Sequence, residues 1–423
     1  MAVAIRTTNN DQRKTTIDQR STTIEEQSTT NDQRKTTTDQ RSTINEKRST
    51  KQRIGITGQA GFMGTHLYNF LGLEENLERI PFEDSFFDSD NALQKFVKQC
   101  DVIVHLAAMN RHSDMQVIYD TNVKLVHQLI TAMEIEKVTP HVIMSSSSQE
   151  ERDNLYGKSK REGRRLLDEW SSKTGAKFTG IVIPNVFGPF GKPNYNSVVA
   201  TFCHKIVHGE EPEIHIDGSV KLIYINALCR EFIKVIRKEI TDNPYYTPHC
   251  TEKKVSEVLK LLNYFKETYF DKQIIPEFNE QFEFDLFNTF VCYIDHVKFY
   301  SGKLTPNTDD RGSFVEVLKL DNTGGQVSFS TTHPGITRGN HYHTRKFERF
   351  AVIKGKARLQ LRRIGTDEVM NFEIDADQCP GFVDMPIWYT HNITNIGDEE
   401  LYTIFWINEF YDEEDPDTFY EKV

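Results

Sequence analysis

The sequence has only six cysteines in 423 residues, Cys100, Cys203, Cys229, Cys250, Cys292 and Cys379, and no two form a CxxC pair. That scatter excludes a Cys-type zinc site and a disulfide framework. It predicts a reducing, cytoplasmic setting in which thiols act as small core residues. Nowhere do 18 apolar residues follow one another, so no segment reads as a membrane-spanning helix. The Thr-, Gln- and Arg-rich start lacks the apolar stretch of a secretory signal. Positive charge is in deficit, 51 Lys+Arg against 62 Asp+Glu for a net of -11. A duplex-nucleic-acid binder would need a basic face, so nucleic-acid binding is not expected.

The length suggests two or three domains. Residues 1–52 form a low-complexity tail. From Asp11 it reads as six seven-residue units, DQRKTTI to EKRSTKQ, with almost no apolar residues. A heptad period without an a/d seam has nothing to bury, so this tail is predicted to be disordered.

From Arg53 the texture is globular. RIGIT, DVIVHLAA, HVIMSS and FTGIVIP are strand-like runs, and they alternate with helix-like THLYNFLGL, NVKLVHQLITAM and KSKREGRRLLDEW. Strands alternating with helices predict a doubly wound parallel sheet over residues 53–294. Beyond residue 295, GSFVEVLKL, GQVSFSTT, RFAVIKGKARLQLRR and LYTIFWINEF are strand runs broken by Gly, Asn and Asp. Residues 295–423 are therefore expected to form a small all-β barrel or sandwich.

The first βα turn carries Gly58, Gly61 and Gly64, with Gln59, Ala60, Phe62 and Met63 between them. Glycines here let the backbone approach a pyrophosphate at a helix N-terminus, so all seven are candidate dinucleotide contacts. This G-x-x-G-x-x-G resembles the extended short-chain dehydrogenase/reductases. The resemblance extends to Tyr156 and Lys160, a Tyr-x-x-x-Lys pair on one helix face. There the ammonium is expected to depress the phenol and make it an acid for a developing alkoxide. Ser147 best matches the assisting serine among Ser145–Ser148. Leu106, Ala107 and Ala108 match the segment along the nicotinamide ribose. Asn185 in PNVFGP matches a sugar-nucleotide segment, although Val182 stands where an Arg often precedes it. Near the end of the second strand, Arg79 is a candidate for a 2′-phosphate and hence for NADPH, while Glu78, Glu83 and Asp84 alongside could instead meet the ribose 2′-hydroxyl of NADH, so the segment leaves both open.

In the β-rich part, Gly335, His341, His343, Glu348 and Gly355 fit the first cupin motif at every spacing. His391 falls in a looser second motif, where Trp388 replaces the usual Gly. Alternate residues of a strand face one side, so His341 and His343 can share a pocket with Glu348 and His391. Three imidazoles and a carboxylate suit Zn or another divalent transition metal. Asp309–Glu316 and Arg338–His341 also resemble metal-free sugar-nucleotide 3,5-epimerases, in which His341 would be the general base. The in-register partners favour the ligand role. The catalytic Tyr of those epimerases falls at Phe405; Tyr389 and Lys346 are substitutes.

A C–H beside a ketone is acidic because its anion is an enolate. A cupin that stabilises that oxyanion can invert the carbon, and hydride addition to the ketone then locks it. The two parts together are coherent on one 4-keto sugar. From Arg53 to Val423 the chain resembles the CapF-type (WbjC-type) family of bifunctional bacterial capsular-polysaccharide enzymes. PNVFGPFGKPNYNSVVATFCHKI, DDRGSF, GITRGNHYHTRKFE, YTHNITN and FYDEEDPDTF carry the likeness. The resemblance implies C3 epimerisation in the cupin and NADPH-dependent C4 reduction of a UDP-2-acetamido-2,6-dideoxy-hexos-4-ulose, in a homodimer. It also implies substrate contacts at Asn185, Lys192, Asn196, Arg338 and Lys346. A reductase whose cupin only dimerises, and a non-catalytic NAD(P) sensor, are the competing readings. An intact Tyr156/Lys160 pair speaks against the sensor.

Overall fold

The computed structural model describes residues 51–299, 302–304, 306–309, 312–315, 317, 318, 320 and 324–423, with only the backbone for 306–309 and 312–315. Residues 1–50 of the tail, and Asp310, Arg311 and Glu316 of the DDRGSF region, lie outside them. The described residues form one compact unit.

Five strands, β1 (Gln52–Thr57), β2 (Leu77–Ile80), β3 (Val102–His105), β4 (His141–Ser147) and β5 (Phe178–Ile183), lie parallel in the order β2-β1-β3-β4-β5. Tyr245–Tyr246 adds a short sixth strand beside β5. β3 and β5 are buried along their whole length because helices cover both faces, whereas β2 at the edge exposes Glu78 and Arg79. The covering helices include α1 (Phe62–Leu71), α2 (Asp90–Gln99), α3 (Met115–Glu136) and α4 (Leu155–Thr174). The chain leaves β1 toward β2 on one side and returns to β3 on the other. That reversal opens a crevice at the carboxyl ends of β1 and β3, where α/β sheets bind ligands.

The C-terminal part holds two five-stranded antiparallel sheets and a two-stranded one (Pro306–Asp309 with Gly312–Val315), the all-β architecture expected from its strand runs. One five-stranded sheet carries Glu348–Lys354 and Leu401–Ile407; the other carries Thr337–Tyr342 and Tyr389–Asn395. RFAVIKGKARLQLRR is two strands, turned at Gly355 where φ is +87°. A strand (Thr251–Lys254) pairs with Ser219–Tyr224 at the start of the segment that closes the α/β part. Helices 255–265 and 281–291 then follow.

One apolar cluster runs through both parts, from Ile54 and Phe70 to Phe347, Trp388 and Trp406. Trp388 is wedged against Phe70 of α1, with ring centroids 5.2 Å apart, and stacks on Tyr342 at 5.5 Å. Its φ of +62° explains why other cupins keep a glycine here. The wide indole contact offsets that backbone cost. Beside this core lies a buried ion pair. Arg349 grips Asp384 through two bonds of 2.7 and 2.8 Å, and Tyr269 of the α/β part donates to the same carboxylate at 2.6 Å.

Candidate functional sites

Gly58 sits at the end of β1 with φ +70°, and a Cβ there would meet the backbone of Ala107 at 2.8 Å. A Cβ on Gly64 would strike the Gly58 carbonyl at 2.2 Å. The two glycines let the turn fold under the start of α1 while the 106–108 segment crosses it. Gly61 caps α1 without a side-chain hydrogen bond, which leaves first-turn N–H groups for an anion. The Gln59 side chain accepts from Phe82 N at 3.0 Å and ties the turn to the segment after β2. Thr57 Oγ1 bonds His105 Nδ1 at 2.7 Å, and burial pushes His105 down to about 3, so this joint between β1 and β3 is neutral. The glycine turn, Leu106, Ala107 and Ala108 thus come together.

Arg79 does not join them. Its guanidinium lies 4.4 Å over the Tyr68 ring, donates to the Tyr68 carbonyl at 3.1 Å and abuts Gly72 at the far end of α1. The side chain is exposed, so a 2′-phosphate would have to draw the guanidinium away from Tyr68.

Ser147 closes β4 and Tyr156 opens α4, which Asn154 caps by accepting from Gly157 N at 2.7 Å. Ser145 and Ser146 are buried and engaged with the His105 carbonyl and Glu150. Ser147 Oγ accepts only from Gln149 N and stays part-exposed at the sheet's edge. Lys160 Nζ donates to the Ser145 carbonyl at 3.1 Å and lies 5.9 Å from the Tyr156 ring centre. Burial pushes Lys160 down to about 8. Tyr156 goes the opposite way to that expected. Burial, aided by Tyr195, pushes its phenol up to about 12, because desolvation outweighs an ammonium on the ring face. The proton therefore stays on Tyr156 at neutral pH, the state a general acid needs.

Asn122 was missed. Its carboxamide accepts from Met109 N at 2.7 Å and donates to the Met109 carbonyl and to Ser159 Oγ at 3.1 and 3.0 Å. It ties the end of the 106–109 segment to α4. The signal was legible, since Ile118, Asn122, Val126, Leu129 and Met133 form one buried helical stripe with a single carboxamide in it.

In the barrel, donor atoms of His341, His343, Glu348 and His391 lie within 4.8 Å of one another. His343 Nε2 and His391 Nε2 approach Glu348 Oε2 at 3.2 and 3.1 Å. All three atoms are buried and make no well-aligned hydrogen bond to protein. Each imidazole uses its other nitrogen on a carbonyl: His343 Nδ1 donates to Asp417 O at 2.5 Å and His391 Nδ1 to Tyr389 O at 3.2 Å. That fixes the tautomers and turns the free Nε2 lone pairs inward. Ligands about 2.0–2.1 Å from a tetrahedral metal stand about 3.3 Å apart, close to the spacing seen here. Burial with the neighbouring imidazoles pushes His341 down to about 3, so it is neutral. Burial opposes ionisation of Glu348, but a proton on Nε2 of His343 or His391 outweighs it and holds the carboxylate ionised, a proton that a bound metal would displace. The set fits a transition metal.

Other predicted residues are dispersed. Lys346 is 2 % exposed and donates to the Pro416 carbonyl at 2.6 Å, so it fastens the C-terminal segment and is not free for substrate. Tyr389 packs on His296 and Phe190 in the contact with the α/β part. Phe405 stacks on Phe350 at 5.3 Å, with Phe350 6.1 Å from His391. Arg338 is exposed and donates to the Thr331 carbonyl at 3.1 Å. Asn185, Lys192 and Asn196 are exposed; Asn185 opens a short strand (Asn185–Phe187) and donates to the Lys221 carbonyl, while Lys192 and Asn196 lie on the loop after it, Lys192 over Tyr195. Asp417, also missed, accepts from Thr344 N, Arg345 N and Lys346 N while its carbonyl holds His343. No local sequence signal marks it.

Residues 54–245 match the NAD dependent epimerase/dehydratase family, and residues 307–419 match the Polysaccharide biosynthesis C-terminal domain. The chain is 32% identical over 374 residues to the Pseudomonas aeruginosa UDP-2-acetamido-2,6-beta-L-arabino-hexul-4-ose reductase, covering 87% of this chain and 98% of that protein. It is 28% identical over 132 residues to the spore coat polysaccharide biosynthesis protein SpsL of Bacillus subtilis, 29% of this chain and 86% of that one. Among solved structures, the capsular polysaccharide assembling protein CapF from Staphylococcus aureus is similar at 34% identity. The match covers 88% of this chain and 100% of that one, with a TM-score of 0.56.

Proposed function

The chain belongs to the family of the Pseudomonas aeruginosa hexul-4-ose reductase and Staphylococcus aureus CapF, and from that premise we propose that it epimerises and then reduces a UDP-2-acetamido-2,6-dideoxy-hexos-4-ulose. It is a nicotinamide-dependent nucleotide-sugar reductase of the epimerase/dehydratase superfamily. Reduction belongs to residues 53–294. NADPH held there would supply hydride to C4, and Tyr156 would give its proton to the oxygen as it becomes an alkoxide. Lys160 lends positive charge beside that oxygen, and Ser147 orients it. Gly58 to Gly64 and residues 106–108 hold the cofactor. NADPH over NADH rests on the family resemblance, with Arg79, near the end of β2, as the residue to meet a 2′-phosphate. Asn185, Lys192 and Asn196 lie on the segment assigned to the nucleotide sugar, and Arg338 is assigned to the barrel's substrate.

Epimerisation belongs to residues 295–423. Loss of the C3 proton leaves an enolate, and return of a proton on the other face inverts the carbon without net redox change. His341, His343, Glu348 and His391 would hold a divalent metal such as zinc, which supplies a Lewis acid for the enolate oxygen when bound. Phe350 and Phe405 give the cluster an apolar wall, and His343 is kept in its tautomer by the Asp417 carbonyl. The order is fixed by chemistry, since reduction removes the ketone that makes C3–H acidic. We assign the chain to the cytoplasm and to a homodimer by resemblance; among the described residues no helix is long and apolar enough to cross a membrane.

The observation that carries this reading is the trio of buried, unbonded donor atoms of His343, Glu348 and His391 beside His341. The test is incubation of the protein with the 4-keto sugar in deuterated water without NADPH. Deuterium at C3 is expected, together with about one equivalent of transition metal that is lost in His343→Ala. Reduction without any C3 exchange would demote the barrel to a dimerisation module. Full exchange in metal-free protein would make His341 the base itself.

A further inference from the structure

The loop that follows the strand Asn185–Phe187, residues 188–196 of the segment assigned to the nucleotide sugar, is not held by the α/β part alone. Phe190, at its bend, adopts φ +64°, a left-handed conformation that a bulky residue keeps only under external constraint. Three neighbours supply that constraint. The Arg363 guanidinium, from the barrel, lies 3.7 Å over the Phe190 ring. Tyr389, also from the barrel, packs on the same ring at 6.0 Å, and His66 of α1 stacks on it at 6.0 Å and 15°. The flanking carbonyls are pinned as well. His66 Nε2 donates to Pro189 O at 2.9 Å and Tyr293 to Gly191 O at 2.7 Å. Further along, Arg111 donates to Asn194 O at 2.6 Å. Next comes Tyr195, whose proximity helps raise Tyr156. A continuous segment thus runs from the barrel contact to the reductase acid.

We propose that Arg363 is a positioning residue for the reduction step: its guanidinium, stacked on Phe190, fixes the nucleotide-sugar loop from the other domain. No hydrogen bond or ion pair engages that guanidinium among the described residues, so the ring face is its principal partner. A half-buried cation on an aromatic face is a contact whose loss the loop would feel. The reductase site is then incomplete without the barrel, which gives a physical reason for the two being one chain.

The inference rests on the reading of residues 185–196 as the sugar-nucleotide segment, so the test has two arms. The first measures amide exchange of residues 188–196 in the full chain. Arg363→Gln should exchange about tenfold faster there, with α4 unchanged, and Arg363→Lys should restore most of the protection. The second measures reduction kinetics. Arg363→Gln should raise KM for the 4-keto sugar about five- to tenfold. Its kcat and KM for NADPH should stay within about twofold, since uniform binding of the sugar is what is lost. Unchanged loop exchange in Arg363→Gln would overturn the proposal, as would a parallel loss in both KM values and in thermal stability. Faster loop exchange in a protein whose wild type ignores the 4-keto sugar would support the positioning contact and sink the substrate reading instead.

Discussion

Tyr156→Phe separates the two activities. The substitution removes one hydroxyl and keeps the ring, so the buried face of α4 is undisturbed. The cap from Asn154 to Gly157 N and the bond from Ser159 Oγ to the Tyr156 carbonyl involve no atom of the phenol. Thermal midpoint should therefore move by only about 1–2 °C, because the helix keeps its cap and the ring keeps its packing. Reduction should lose about 10²–10⁴-fold, the contribution of one positioned general acid, or about 2.7–5.4 kcal/mol in the barrier. The upper half of that range is favoured by burial. Water has poor access to a phenol pushed up to about 12, so solvent is a weak substitute donor. Disappearance of NADPH absorbance measures this step. Deuterium incorporation at C3, measured without NADPH by mass spectrometry, should stay at the wild-type rate because no enolate chemistry uses Tyr156. A loss of less than about tenfold in reduction would refute the acid role. A parallel fall in exchange would refute the separation of the sites.

Two further perturbations follow from burial and charge. Lys160, pushed down to about 8 by burial, loses its charge as pH rises through that value. The kcat/KM of reduction should therefore fall above about pH 8, and Lys160→Arg, which stays charged, should move that fall upward even at a lower plateau. An unmoved limb would mean that another group sets it. Asp384→Ala leaves Arg349 charged in a site where the two side chains are 3% and 0% exposed. The cost should be about 3–5 kcal/mol in urea unfolding, and Arg349→Met with Asp384→Leu should recover most of it. Equal stability of single and double variants would show that the pair is not the source.

Much of this protein is set by local pattern. β1, the glycine turn and α1 follow from a β-branched run, three glycines at fixed spacing and an apolar helix face, all within one stretch of chain. His341 and His343 share a side because strand geometry repeats every two residues, and their pairing with Glu348 and His391 was legible from motif spacing. Tertiary structure decided what depends on distant partners. Arg79 is basic and close to the right strand end, yet the Tyr68 ring 11 residues earlier captures it. Lys346 reads as a free cation until the Pro416 carbonyl, 70 residues on, claims it. The phenol of Tyr156 was expected to fall and instead rises, because desolvation is a property of everything packed around it, whereas i to i+4 spacing reports only one neighbour. Trp388 and Arg363 carry no signature, since their roles exist only where the barrel meets α1 and Phe190. Contacts between domains are chosen by the docked surfaces, and a periodicity of 2 or 3.6 residues cannot encode them.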